Sequence, residues 1–283
     1  MNVTRPTTVI EPPSLWRLSL AAEVARLPRF FDLLWTLSVH RIKVRYKQSR
    51  LGVAWAMLQP LSMMVVFTLM FSFVGGAPGQ GVPYPLFAYA ALLPWSAFSS
   101  GLSTAAGALT GHAALLTKVY FPREILPLTY VVAALSDLLI ASVALAALMA
   151  WYGVAPGSGS WWALAALAVM VVFLVGAGLL LSAVQVRYRD VGLAMPVILQ
   201  VWLFASPVLY PLDAVRRALD RPLYDLYVLN PMAGVVDTFR RTVVLHQPPD
   251  LHALAVGALV AAALLPAAYL YFKYAEFTMA DVV

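Results

Sequence analysis

Residues 112–127 read His-Ala-Ala-Leu-Leu-Thr-Lys-Val-Tyr-Phe-Pro-Arg-Glu-Ile-Leu-Pro, and their setting decides the fold class. They separate two apolar segments, 86–110 and 127–151, each close to the roughly 20 residues that a helix needs to cross about 30 Å of hydrocarbon. The stretch is therefore a short loop at a membrane surface, but it is not simply polar. Lys118, Arg123 and Glu124 stand among Leu115, Leu116, Val119, Tyr120 and Phe121. The i,i+4 pairs Leu115/Val119 and Leu116/Tyr120 give one or two turns of helix an apolar face. Pro122 ends that helix, since it has no N–H to give and its ring clashes with the preceding turn. Two readings stay open: an interfacial helix lying on lipid, or a knob shown to a soluble partner, with Tyr120 and Phe121 as anchors and Arg123 as a clamp.

Outward from this loop the composition is that of an integral membrane protein. Of 283 residues, 62% are hydrophobic and 11% charged, against roughly 25% charged in an average soluble domain. The absence of cysteine excludes disulfides and thiolate metal sites. His40, His112, His246 and His252 are scattered without ligand spacing, so no metal site is expected. No secretory leader is expected either, because no charged start precedes a short apolar run and a small-residue cleavage site.

Six spans can be drawn, at 53–75, 86–110, 127–151, 161–185, 193–211 and 252–273. Residues 75–79 and 153–159, rich in glycine, mark tight outer loops. The segment 211–250 is too long for a turn and too charged to be embedded throughout. Pro222, Pro231, Pro248 and Pro249 interrupt it, and it is predicted to form two short helices that dip back and cap the outer end. Such backbone needs protein or a water-filled cavity beside it. Ahead of the first span, residues 1–13 read as a disordered leader, and Ser14 is a plausible helix cap. After Pro28, Phe31, Leu34, Trp35, Val39, Ile42 and Tyr46 recur opposite Arg41, Lys43, Arg45, Lys47 and Arg50, the pattern of a helix lying in the interface. The expected fold is an all-α membrane protein. It has six transmembrane helices, an N-terminal amphipathic interface helix (within 1–52) and re-entrant outer helices before the last span (within 53–283).

Charge orients the bundle. Fourteen Lys and Arg residues lie in the leader, the loops 111–126 and 186–192 and the tail. The loops 76–85 and 152–160 have none, and the five arginines of 211–250 are matched there by five aspartates. Both termini are thereby predicted to be cytoplasmic. The basic excess reports topology, and no nucleic-acid partner is implied.

Four stretches carry a family resemblance. Arg45-Tyr46-Lys47-Gln48-Ser49-Arg50-Leu51-Gly52 leads to Trp55, Pro60 and Leu61. Leu93-Pro94-Trp95-Ser96-Ala97-Phe98 opens a segment ending at Leu116-Thr117-Lys118-Val119-Tyr120-Phe121-Pro122-Arg123-Glu124. Arg189-Asp190-Val191 precedes Ser206-Pro207-Val208-Leu209-Tyr210-Pro211, and Leu229-Asn230-Pro231-Met232-Ala233 precedes Phe239-Arg240. In this order and spacing the chain resembles the ABC-2 type permeases that export O-antigen, capsule or teichoic acid. The resemblance implies a multi-pass protein of the bacterial inner membrane, built as two permeases with two ATPase subunits. It implies lipid-linked polysaccharide, O-antigen first, as cargo, and membrane lipid as surroundings. It also implies that ATP and Mg²⁺ bind on the partner and that this chain holds no cofactor. No Gly-rich phosphate loop ending in Gly-Lys-Ser/Thr occurs in the sequence. Six helices are few to enclose a path for a sugar chain, which suits a symmetric dimer. On this resemblance Leu116, Lys118, Tyr120, Phe121, Pro122, Arg123 and Glu124 form an ATPase-coupling set.

The second span is unusually polar, with Ser96, Ser99, Ser100, Gly101, Ser103, Thr104, Gly107 and Thr110. It is either a packing helix whose small residues and hydroxyls meet its neighbours, or a wall of a hydrated path. Sugars need hydroxyl partners and flat aromatic surfaces, which nominates Trp95, Phe98, Ser99, Phe204 and Tyr210; the rival reading puts these rings in an interface belt. Asp137 is the only acidic residue well inside a span. With no Lys or Arg within another span, it is expected to be protonated or bonded to hydroxyls rather than salt-bridged, in a structural or a path role. Two other functions fit the architecture: ABC-2 export of a small lipophile or drug, and a membrane-embedded enzyme acting on lipid-linked sugar. The polar second span and the aromatics speak against the first. The lack of paired carboxylates in the cytoplasmic loops speaks against the second.

Overall fold

The computed structural model describes residues 27–47, 49–74, 80–112 and 121–282, and every regular element among them is helical. In hydrocarbon, backbone N–H and C=O groups must be satisfied within the segment that carries them, so apolar runs of this length become helices. Four qualify by length and apolarity together: Gly52–Phe73, Ile125–Trp151, Trp162–Arg187 and Leu251–Glu276. They lie in α2 (Trp55–Val74), α4 (Ile125–Trp151), α5 (Trp162–Arg187) and α10 (Leu251–Val282). The other two expected spans differ. Helix α3 (Tyr84–Ala106) has 23 residues, but serine, threonine and glycine dilute its apolar character. Helix α6 (Asp190–Phe204) has only 15 residues, about 22 Å of rise. It stops there because Pro207 disfavours helix at Ser206, and the chain runs irregularly to Pro211.

Helix α3 is the axis of the molecule. Leu86 to Leu93 are at most 1% exposed, and α2, α4, α5, α6 and the buried helix α9 (Pro231–Val243) all pack around it. Small residues set the closest crossings. A Cβ at Gly101 would lie 2.9 Å from Ala134 Cβ and from Leu174 Cδ2, so α4 and α5 both meet α3 there. Helices α9 and α10 approach through reciprocal glycines. A Cβ at Gly234 would fall 2.4 Å from Ala253 O, and one at Gly257 would fall 3.0 Å from Pro231 Cα. Close backbone approach of this kind replaces the side-chain contacts that lipid cannot drive.

Two expectations about the periphery change. Helix α1 (Phe31–Tyr46) does not divide into an apolar face and a basic face. It packs on α4 through Leu34, Leu37, buried Ser38 and Arg41, while Phe31 and Trp35 are each 59% exposed. Its arginines turn inward because α4 offers them polar partners. The segment 211–250 forms three helices rather than two: α7 (Leu212–Ala218), α8 (Arg221–Val228) and α9. Proline starts the later ones, with Pro222 in the first turn of α8 and Pro231 opening α9. Asn230 caps α9, its side chain accepting the Met232 N–H at 3.1 Å. The expected leader and Ser14 cap, the glycine-rich stretch 75–79 and residues 113–120 lie outside the described residues.

Candidate functional site

One stripe of α3 is polar and partly open. Ser96, Ser99, Ser100, Ser103 and Thr104 keep some exposure, whereas Ala97, Phe98, Leu102 and Ala105 are buried. The hydroxyls donate back to their own helix: Ser99 to Ser96 O at 3.3 Å, Ser100 to Ala97 O at 3.4 Å, Thr104 to Ser100 O at 2.7 Å. Their oxygen lone pairs remain for a further donor. The serines of the stripe border two cavities. The larger, about 690 Å³, lies against the end of α1, α2 and α4, where Arg45, Tyr46, Gln59, Ser62 and Asp137 join Ser96 and Ser100. The smaller, about 250 Å³, is walled by Gln59, Trp95, Ser96, Ser99, Ser103 and Gln200. Hydroxyl and amide groups around both can exchange hydrogen bonds with a hydrated or polyhydroxylated ligand.

The nominated aromatics fall into two groups. Trp95 and Phe98 are 3% and 0% exposed and sit in an interior cluster. Phe98 stacks on Phe173 with centroids 5.4 Å apart, and Trp202 meets Phe98 edge-on at 5.3 Å. Trp202 Nε1 donates to Asn230 Oδ1 at 3.1 Å, which ties the cluster to the cap of α9. Phe204, two residues further along α6, faces the other way and is half exposed. Tyr210 joins it, its hydroxyl donating to Phe204 O at 2.7 Å. Of the nominated set, Trp95 and Ser99 line one cavity together.

Asp137 is salt-bridged, contrary to expectation. Arg45 pairs with one carboxylate oxygen and the Tyr46 hydroxyl donates to the other. Sequence reading looked for a cation only within other spans. The partner comes from α1, which folds along α4 and brings in a residue 92 positions away.

Of the coupling set, Leu116, Lys118 and Tyr120 lie outside the described residues. Phe121 is buried among Leu109, Ile125 and Phe272, and Pro122 O accepts the Ile125 N–H in the turn that opens α4. Glu124 is 1% exposed and takes the Lys273 ammonium at 3.0 Å and the Tyr269 hydroxyl at 3.3 Å. Lys273 also binds Glu276 at 3.0 Å, and Arg123 donates to Glu276 O at 2.8 Å. Phe121 and Glu124 are thus spent on holding the loop to the end of α10, an arrangement that nothing local in the sequence announces.

The residue that sequence reading missed is Arg240, wholly buried at the far end. Pro207 and Pro211 leave the chain between them non-helical, so its carbonyls need donors. The planar Arg240 guanidinium supplies them, to Val208 O at 3.2 Å and Tyr210 O at 3.1 Å. It also lies 4.0 Å over the Phe87 ring and 3.4 Å from Asp237 Oδ1. Burial pushes the Asp237 carboxyl up and the Arg240 guanidinium down, and each charge partly offsets that in the other. Arg241 pairs with Asp213 at 3.3 Å and Arg216 with Asp250 at 3.7 Å. The i,i+3 and i,i+4 spacing of Asp237 to Arg240 and Arg241 was the available signal.

The model of the family described as ABC-2 type transporter matches residues 32–244. An O-antigen export system permease protein RfbA from Myxococcus xanthus is 33% identical over 255 residues, 88% of this chain and 95% of that protein. An RfbA from Klebsiella pneumoniae is 25% identical over 211 residues, 74% and 79% of the two chains. A polysialic acid transport protein KpsM from Escherichia coli is 24% identical over 218 residues, 73% and 79%.

Proposed function

The chain belongs to the ABC-2 type transporter family, and from that premise we propose that it is the permease subunit of an exporter of lipid-linked cell-surface polysaccharide, O-antigen first. The observation that carries the reading is the 33% identity to an O-antigen export permease across 88% of this chain. The hydroxyl and amide groups of the α3 stripe and its cavities support it, since they match a polyhydroxylated cargo better than a small lipophile. In this reading α2 to α6 and α10 are six spans of the inner membrane, and α7 to α9 cap the outer end. ATP and Mg²⁺ are bound and hydrolysed by a separate ATPase subunit, and two copies of each make the transporter. Exposed apolar faces on α2 (Val65, Val66, Leu69) and α6 (Leu193, Val197, Val201) are available to lipid or to a second copy.

The coupling surface is narrower than sequence alone suggests. Residues 113–120 carry the contact with the ATPase, while Phe121, Glu124 and Lys273 hold that contact against α10. Deleting this chain in its host is expected to strip polysaccharide from the cell surface and to accumulate lipid-linked glycan inside, with a plasmid copy restoring both. The identity of the trapped glycan separates O-antigen from capsule, and normal surface polysaccharide in the deletion strain would overturn the reading.

Orientation has its own test, eased by the absence of native cysteine. Ser158→Cys and Arg189→Cys both fall on exposed positions, on opposite sides of the membrane in this topology. An impermeant maleimide applied to intact cells is expected to label the first and spare the second. The reverse pattern would invert the protein.

A further inference from the structure

A third cavity, about 490 Å³, lies between α1, the end of α3 and the first turns of α4. Arg41, Arg45, His40 and His112 line it, and among the described residues no carboxylate does. Arg45 is already paired with Asp137 beyond its edge. Arg41 is not: among the described residues it has no acidic partner. Its Nε donates to Thr129 Oγ1 at 3.2 Å, Nη2 meets His112 Nε2 at 3.2 Å, and its plane lies 3.4 Å over the Tyr130 ring. His112 Nδ1 lies 3.0 Å from Ala108 O, which can only accept, so Nε2 is left to face Arg41. None of these partners is anionic, so they hold Arg41 from three directions and cancel none of its charge. Leu37, Val44, Leu126 and Ala133 complete the wall, so the cavity offers an apolar side next to a fixed cation. A half-buried cation held this way, without a counter-ion and beside open space, is arranged to receive an anion. The apolar wall selects an anion that carries hydrocarbon.

We propose that this cavity binds the phosphate headgroup of a lipid in the cytoplasmic leaflet, with Arg41 on the phosphate and the lipid's hydrocarbon along Leu37, Val44 and Leu126. The proposal rests on the topology proposed above, which puts α1 at that leaflet. The same chemistry belongs to bulk phospholipid, to a polyprenyl diphosphate carrier and to free phosphate, and the test separates them.

The full chain in phosphatidylcholine nanodiscs is given a photoactivatable phosphatidic acid, or the matching phosphatidylcholine probe, and the labelled residues are mapped. Phosphatidic acid is expected to label the α1–α4 cavity in preference to phosphatidylcholine. Arg41→Gln is expected to weaken that labelling about tenfold, the loss of one charge-assisted contact. Arg41→Lys, which keeps the charge and guards against misfolding, recovers part of it. Lys43→Gln, on the exposed side of the same helix, leaves it unchanged. Competition by a polyprenyl diphosphate at lower concentration than phosphatidic acid assigns the site to a carrier lipid, and the opposite order assigns it to phospholipid. Displacement by inorganic phosphate as effective as by either lipid overturns the lipid assignment, and an equal loss in Lys43→Gln overturns the site. No glycan, nucleotide or ATPase enters the measurement, so it stands or falls separately from export.

Discussion

Arg240→Ala is expected to lower stability by about 3–5 kcal/mol, the penalty for breaking a buried, hydrogen-bonded ion pair from one side. Arg240 is the largest fully buried side chain among the described residues. Its removal strands the carbonyls of Val208 and Tyr210, and leaves Asp237, 2% exposed, with only Arg241 at 3.6 Å. Arg240→Lys keeps the charge but loses the planar fork that reaches two carbonyls at once, so an intermediate loss is expected. Arg240→Met combined with Asp237→Leu removes both charges and is expected to cost less than Arg240→Met alone, because no buried charge is then left without its partner. The check is thermal inactivation of the purified protein, followed by tryptophan fluorescence and by the monodisperse fraction after heating. Arg217→Ala, at an exposed position on α7, provides the reference, with a change within about 0.5 kcal/mol. If Arg240→Ala melts with Arg217→Ala, packing alone holds the outer segment.

Lys273→Glu is expected to be comparably severe at the opposite end. The ammonium sits between Glu124 and Glu276, 3.0 Å from each, with Glu124 1% exposed. Reversing its charge sets a third carboxylate beside two, where mutual repulsion and lost pairing act together, again about 3–5 kcal/mol. Adding Glu124→Lys restores an opposite charge across the same gap and is expected to recover much of the folded yield. The consequence for function follows from place. Glu124 opens α4 directly after the loop proposed to meet the ATPase, and Lys273 belongs to α10, which packs along α5. Lys273→Met, which removes the charge without reversing it, is expected to leave part of the protein folded yet lower surface polysaccharide more than it lowers protein abundance. Export that falls only in proportion to folded protein would make the cluster purely structural.

Much of this was legible in the residues. The apolar runs at 127–151, 161–185 and 252–273 appear as α4, α5 and α10 because length and hydropathy act locally, with no partner needed. The prolines were read only in part: Pro222 and Pro231 were expected to interrupt the chain but start helices, and the expected span 193–211 ran through Pro207, which helps to stop α6 at Phe204. The second span was correctly seen as polar, but not as the axis of the bundle. Small and hydroxylated residues serve both a crowded centre and an open wall, and α3 turns out to do both on different faces. The count of outer helices failed at Leu219 and Asp220, where a break between two turns of helix carries little sequence signal. Trp95, Phe98, Phe204 and Tyr210 were grouped by chemistry alone. The fold buries Trp95 and Phe98 in one cluster and turns Phe204 outward, since two residues along a helix is more than half a turn.

The sequence by itself determined the class of the molecule and its long apolar helices, because these depend on composition and on neighbours within a few residues. The tertiary structure alone decided where the buried charges find their partners. Asp137 is answered by Arg45 from 92 residues away, Glu124 by Lys273 from 149, and two carbonyls freed by proline are answered by Arg240. An ionised group taken out of water needs its counter-charge or donor within a few ångströms, and only the packing of distant helices determines which groups lie that close.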